Sequence, residues 1–207
     1  MGAMLLQQGV EYFNPDHAAQ RILSASISSV NPAFVNPASV HPGLSQVEAN
    51  SAAWHEGKRL LERAIAEKLD FAFETTLGGR TIVSLLDKAL SEGIEVRIWY
   101  VGLDGVERHI ARVRSRVAQG GHDIPEERIR ERYIQGRINL IRLLPRLTEL
   151  VVYDNSDEAD PRAGTAPRPR LILRMVRGKV RETCELIRVP EWAKSIVAIA
   201  LKLNTKG

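Results

Sequence analysis

Leu69-Asp70-Phe71-Ala72-Phe73-Glu74-Thr75-Thr76-Leu77-Gly78-Gly79-Arg80 is the stretch that decides the fold. Its first five residues are short and largely apolar, the pattern of a buried strand, and they run into a polar Glu-Thr-Thr. Arg80 to Ser91 then reads as a helix, with Gly93 just beyond its end. Glu95 to Val101, rich in β-branched and aromatic residues, is the next strand. Downstream, Val106 to Gln119 reads as a strongly basic helix stopped by Gly120-Gly121. Pro125 opens another helix at a favourable first-turn position and the helix runs to about Leu144. Leu150 to Tyr153 is a strand ending in a turn at Asp154-Asn155-Ser156. Upstream, Gln46 to Lys68 carries Trp54, Leu60, Leu61, Ala64 and Ile65 on one stripe, an amphipathic helix. Val10 to Phe13 is a short strand ending at Asn14-Pro15-Asp16, where Asp16 can cap a helix from about His17 to Ser24.

This alternation predicts an α/β fold with a mainly parallel sheet flanked by helices, in one domain over residues 1–207. Ser26 to Ser45, with Asn-Pro at 31–32 and 36–37, reads as irregular, because each Pro disfavours helix at the residue before it. Asp157 to Pro169 is a polar linker. Arg170 to Arg177 and Lys179 to Ile187 alternate around Gly178, an antiparallel hairpin, and Pro190 to Leu203 reads as a final helix. The hairpin and helix, 170–203, look like sheet extension and packing.

The bulk composition is that of an ordinary globular chain: 44% hydrophobic, 26% charged, net charge +4. Mild basicity fits a phosphate-bearing partner without choosing among nucleotide, nucleic acid and acidic protein. Cys184 is the one cysteine, so neither a disulfide framework nor a thiolate metal cluster is expected. No signal-peptide pattern or membrane-length apolar run is read, and a cytoplasmic protein is the default.

Ligands of open α/β sheets bind outside the carboxyl ends of the strands. Two predicted strands end there in polar groups: Asn14 and Asp16 after the first, and Glu74, Thr75, Thr76 and Arg80 after the second. A carboxylate at such an edge can accept a proton, and fixed donors can hold substrate oxygens. Each has a plainer reading. Asp16 can be a helix cap, Thr75 and Thr76 strand-end filler, and Arg80 an exposed first-turn residue. Arg108, Arg112 and Arg116, four apart, share one helix face, which can also be a solvated stripe. His122 has no second His or Cys at ligand spacing, so no metal site is expected.

The order of the pieces adds to this. Phe71 to Arg80 is followed by Arg112-Val113, Arg116 and Gly120-Gly121-His122-Asp123-Ile124-Pro125. Next come Ile129-Arg130, Arg132-Tyr133, Asn139-Leu140 and Tyr153-Asp154-Asn155-Ser156, with Phe13-Asn14-Pro15-Asp16 upstream. This run, covering roughly residues 10 to 156, resembles the zeta-toxin family of P-loop small-molecule kinases. The resemblance implies a three-layer P-loop-kinase-like fold with a lid at about 106–137. It also implies transfer of the γ-phosphoryl group of ATP or GTP, with Mg²⁺, to a hydroxyl of a small molecule such as UDP-N-acetylglucosamine. Carried over, Asp16 is the general base, and Asn14, Glu74, Thr75, Thr76 and Arg80 are substrate-side positions. Arg112, Arg116 and Arg132 are nucleotide-side lid positions, with Arg116 and Arg132 stabilising the transferring phosphate. An antitoxin-like protein is a further implied partner.

One part departs from the family. The Gly-x-x-x-x-Gly-Lys-Ser/Thr loop, whose N–H groups cradle phosphates, does not occur in the 207 residues. Gly78-Gly79-Arg80-Thr81 is the nearest look-alike and lacks its first Gly and its Lys. Met1 to Gln8 reads as the stub of the helix that follows such a loop. The expectation is an N-terminally truncated, impaired chain with a central strand missing from its sheet. Two other functions remain open. One is a non-catalytic module binding a nucleotide sugar or an antitoxin. The other is nucleic-acid binding through helices 106–119 and 125–144, for which Tyr133 alone offers an interleaved aromatic.

Overall fold

The structure is a computed structural model that describes residues 10–28, 44–119, 121–157 and 168–205. Met1 to Gln8, most of the 26–45 segment, Gly120 and most of the 157–169 linker lie outside the described residues. The fold is mixed α/β, with its described strands in two sheets. The chain divides into two compact units, one up to Thr75 and one from Thr76 onward.

In the first unit, β1 (Glu11–Phe13) pairs in parallel with β2 (Phe71–Phe73), in register Glu11 to Phe71 and Phe13 to Phe73. Between them run α1 (Pro15–Ser28) and α2 (Gln46–Glu67). The first helix runs further than the 17–24 predicted and takes in the start of the segment read as irregular. Ser45 and Glu48 close α2 with a capping box, and Lys68 in the left-handed region ends it. Ala18, Ala19, Ala49 and Ala53 are buried with Phe13. Small residues on both helices let their backbones approach, and Gly57 completes the seat. A Cβ there would lie 2.5 Å from the Phe13 ring. Trp54, assigned by periodicity to the buried stripe, is instead 42% exposed. The buried line runs through Ala49, Ala53, Leu61, Ala64 and Ile65, and Trp54 sits one residue, about 100°, round from Ala53.

In the second unit, α3 (Arg80–Ser91) leads to β3 (Arg97–Gly102), which pairs in parallel with β4 (Glu149–Asp154). Between them lie α4 (Val106–Ala118) and α5 (Glu126–Leu143). The expected hairpin forms from β5 (Arg170–Val176) and β6 (Lys179–Thr183), and extends the sheet antiparallel in the order β3-β4-β5-β6. Two of the four strand pairings are therefore parallel. A short 3₁₀ turn at Glu191–Ala193 feeds α6 (Lys194–Asn204).

The core follows from the strand pattern. Leu150, Val152, Ile172, Leu173 and Met175 are fully buried on the central strands, and Leu140, Leu143, Leu144 and Ile196 are fully buried on the helical elements. Each such side chain contributes about 1.5–3 kcal/mol by leaving water. Trp192 caps the β3–β4 end. Its Nε1 donates to the buried Asp154 carboxylate at 3.2 Å, which also accepts from Arg170 at 3.2 Å. Gly102 is required there, because a Cβ would lie 2.4 Å from the Trp192 ring.

Candidate functional site

The first unit gathers its polar groups at the carboxyl ends of its two parallel strands. Asn14 follows β1 and Glu74 follows β2, and the Glu74 N–H donates to the Phe13 carbonyl at 3.0 Å, carrying the pairing one step past β2. The Asn14 amide donates to Glu74 Oε2 at 2.8 Å, and the Tyr12 hydroxyl donates in a short bond to Glu74 Oε1. One carboxylate is thus held by a donor on each oxygen. Burial, followed by that carboxylate, raises the Tyr12 phenol above its ordinary value.

The capping assignment changes here. Asn14 Oδ1 accepts the His17 N–H at 3.0 Å, so Asn14 caps α1, while Asp16 lies within its first turn and is exposed. Pro15 explains the shift: it has no N–H and its fixed φ suits the first helical position, so the cap falls on the residue before it, two earlier than Asp16.

In the second unit the Thr76-Leu77-Gly78-Gly79 turn is held against α5. Leu77 is 4% exposed and adopts φ 54, a left-handed conformation that costs a non-glycine residue about 1–2 kcal/mol. Asn139 Nδ2 donates to the Leu77 carbonyl at 2.7 Å. Gly136 lets the helix approach, since a Cβ there would lie 2.8 Å from the Thr76 carbonyl oxygen. A Cβ on Gly78 would lie 2.9 Å from Arg132 Cγ, so Arg132 covers the turn. Arg80 opens α3 immediately after Gly79, and is exposed.

The charges of α5 separate into two kinds. Of its five arginines, Arg128 pairs with Glu131, Arg130 with Glu107 and Glu126, and Arg142 with Asp87. Arg137 lies over the Tyr133 ring at 4.0 Å, and its Nε donates to the Tyr133 carbonyl at 3.0 Å. Arg132, beside the turn, has no carboxylate within 4.0 Å among the described residues.

On α4, Arg112 is half-buried and donates to the Asn155 carbonyl at 2.7 Å, tying the helix to the end of β4. Arg116 is exposed, and its Nη2 donates to the His122 carbonyl at 3.4 Å. The reading of this stripe as wholly solvated therefore fails at Arg112. His109, beside Arg112 and Arg137, packs edge-on against Tyr133 with ring centroids 5.3 Å apart. Burial first, then those two cations, lowers its pKa.

The structure thus groups Asn14 with Glu74 in one unit, with Asp16 two residues further on, and Thr76 with Arg132 in the other, where Arg80 follows the turn. Tyr12, Gly136 and Asn139 were not singled out as site residues from sequence. Gly136 had a legible signal, because a glycine inside a strong helix marks a close approach.

A curated relative from Haemophilus influenzae (strain ATCC 51907 / DSM 11121 / KW20 / Rd), whose name is "Uncharacterized protein", is 33% identical over 93 residues, or 45% of this chain. The chain spans 64% of the length of that relative. No family model matches the chain, and no solved structure matches it. No described helix is long and apolar enough to cross a membrane.

Proposed function

We propose that this chain carries the acceptor-side and lid elements of a phosphotransferase of the zeta-toxin type, acting on a hydroxyl of a small molecule such as a UDP-N-acetyl sugar. The observation that carries the proposal is Arg132, which has no carboxylate partner among the described residues. On the same helix Arg128, Arg130 and Arg142 are paired with carboxylates and Arg137 lies over Tyr133, whereas Arg132, whose stem lies against Gly78, has no carboxylate within 4.0 Å among the described residues. A guanidinium without a carboxylate partner is suited to phosphate oxygens, and its planar fork binds them in pairs.

In this reading Glu74 of the first unit, fixed by Tyr12 and Asn14, accepts hydrogen bonds from the acceptor's hydroxyls. Asp16, exposed in the first turn of α1, takes the proton of the attacking hydroxyl. Arg132 and Arg116 hold the transferring group's oxygens, an effect worth about 10³-fold or more in rate for one well-placed arginine. ATP or GTP supplies the phosphoryl group. The arginines fit its polyphosphate, whereas no group of three metal-ligating side chains is brought together among the described residues. No step is therefore assigned to a protein-held Mg²⁺.

The Gly-x-x-x-x-Gly-Lys-Ser/Thr loop does not occur in residues 1–207, so no phosphate-cradling role is assigned to a loop within them. Calorimetry with UDP-N-acetylglucosamine and with Mg·ATP tests the reading. Acceptor binding that is lost in Glu74→Ala supports it. Absence of binding to any sugar nucleotide or nucleoside triphosphate rejects it, and UDP-sugar binding in a complete protein that never binds ATP favours the non-catalytic module.

A further inference from the structure

The contacts between α5 and the Thr76–Gly79 turn do more than fill space. Arg132, Gly136 and Asn139 lie at positions i, i+4 and i+7 of one helix, so they share a face. Each meets a different part of the turn: Arg132 meets Gly78, Gly136 meets the Thr76 carbonyl, and Asn139 holds the Leu77 carbonyl at 2.7 Å. Leu77 is buried and sits at φ 54, a conformation it keeps only while its surroundings impose it. The α-helix between positions 132 and 139 is two hydrogen-bonded turns, too stiff to bend separately at its ends.

We infer that Asn139 is a positioning residue which locks the Thr76-bearing turn to the Arg132-bearing helix, so that an anion drawn onto Arg132 is sensed at Thr76. This rests on the phosphate-binding role proposed for Arg132. Its consequence is a coupling between phosphate-side and acceptor-side occupancy, carried by a hydrogen bond to a carbonyl and requiring no contact between the two ligands. The lock is specific in its chemistry. An amide donor at 139 is needed, a Cβ at 136 is excluded, and Gly78 must leave room for the Arg132 stem.

The test is an NMR titration of the full ¹⁵N-labelled chain with inorganic pyrophosphate, following the Arg132 Nε–H and the Thr76 and Leu77 amides. Gly78 is left out because Arg132 touches it directly. In wild type, the two amides should shift with the same midpoint as Arg132 Nε. In Asn139→Ala, which introduces no bulk, Arg132 Nε should still titrate while the amide shifts shrink at least about threefold. The backbone order parameters of 76–78 should also fall from about 0.85 towards about 0.6 in that variant. Wild-type amides that stay still while Arg132 responds overturn the lock, as does an Asn139→Ala response equal to wild type. An Arg132 Nε that ignores pyrophosphate overturns the phosphate-binding reading itself. The wild-type titration alone decides if the variant does not fold.

Discussion

Asn14 Nδ2 donates to Glu74 Oε2 at 2.8 Å while Asn14 Oδ1 accepts the His17 N–H at 3.0 Å, so one side-chain amide caps α1 and clamps the carboxylate after β2. Aspartate in its place keeps an oxygen for the cap but loses the donor, and puts a second negative charge against Glu74. Asn14→Asp should lose about 1–2 kcal/mol in urea unfolding at pH 7. Most of that should return in the Asn14→Asp/Glu74→Gln double variant, because the two sites are in contact and couple. An equal loss in both backgrounds would assign the whole effect to the cap.

The same residue shows how far the sequence could be read. Strand, helix and hairpin existence followed from periodicity and turn residues, and α3 was bounded at Arg80 and Ser91 because a glycine pair precedes it and Gly93 follows. Which polar residue caps α1 did not follow, since Asn14 and Asp16 are both good caps and the decision belongs to Pro15 between them. The split of α5's arginines was not legible either. Whether Arg132 or Arg130 is neutralised depends on Glu107, 23 residues from Arg130, reaching back across two helices. Leu77's left-handed backbone was similarly hidden, because nothing in a leucine announces it.

Asp16→Asn separates the two roles that sequence left open for that residue. With the cap on Asn14, the charge of Asp16 is a favourable acid in the first helical turn, a contribution of up to about 1 kcal/mol. The variant should therefore stay folded, with a urea midpoint close to wild type. In a complete enzyme, phosphoryl transfer should fall to background while ATP affinity is kept. Transfer at the wild-type rate would remove Asp16 as the base, and wholesale unfolding would return it to a structural role.

Gly102→Ala probes the β3–β4 carboxyl end. The added methyl would lie 2.4 Å from the buried Trp192 ring, whose Nε1 is committed to Asp154 and so resists turning away. Overpacking of this kind costs about 1–3 kcal/mol. The loss should appear as a lowered unfolding midpoint with altered Trp192 fluorescence. Gly79→Ala is the control, because nothing lies within 4 Å of its Cβ position and φ is −94°; it should cost less than Gly102→Ala. Equal losses would mean that Trp192 relaxes freely.

His109 gives the second unit a defined response to acid. Burial first, then the charges of Arg112 on its own helix and Arg137 on α5, disfavour the charged imidazole in the folded state, and the ring packs on Tyr133. Its folded pKa lies below the ordinary value near 6.5 that it regains on unfolding. The unfolded chain therefore takes the proton first. The stability held by neutral His109 is fully present above about pH 6.5, and is lost as pH falls from there through the lowered folded value. Urea midpoints measured at pH 8 and pH 5 should differ more in wild type than in His109→Phe, which keeps the aromatic contact and cannot titrate. Lower pH in wild type should also loosen α4 from α5, since an imidazolium there would face two guanidinium groups. The protection factor of the Ile110 amide, buried on the same helix, reports that opening once the intrinsic pH dependence of exchange is divided out, and it should fall at pH 5 in wild type alone.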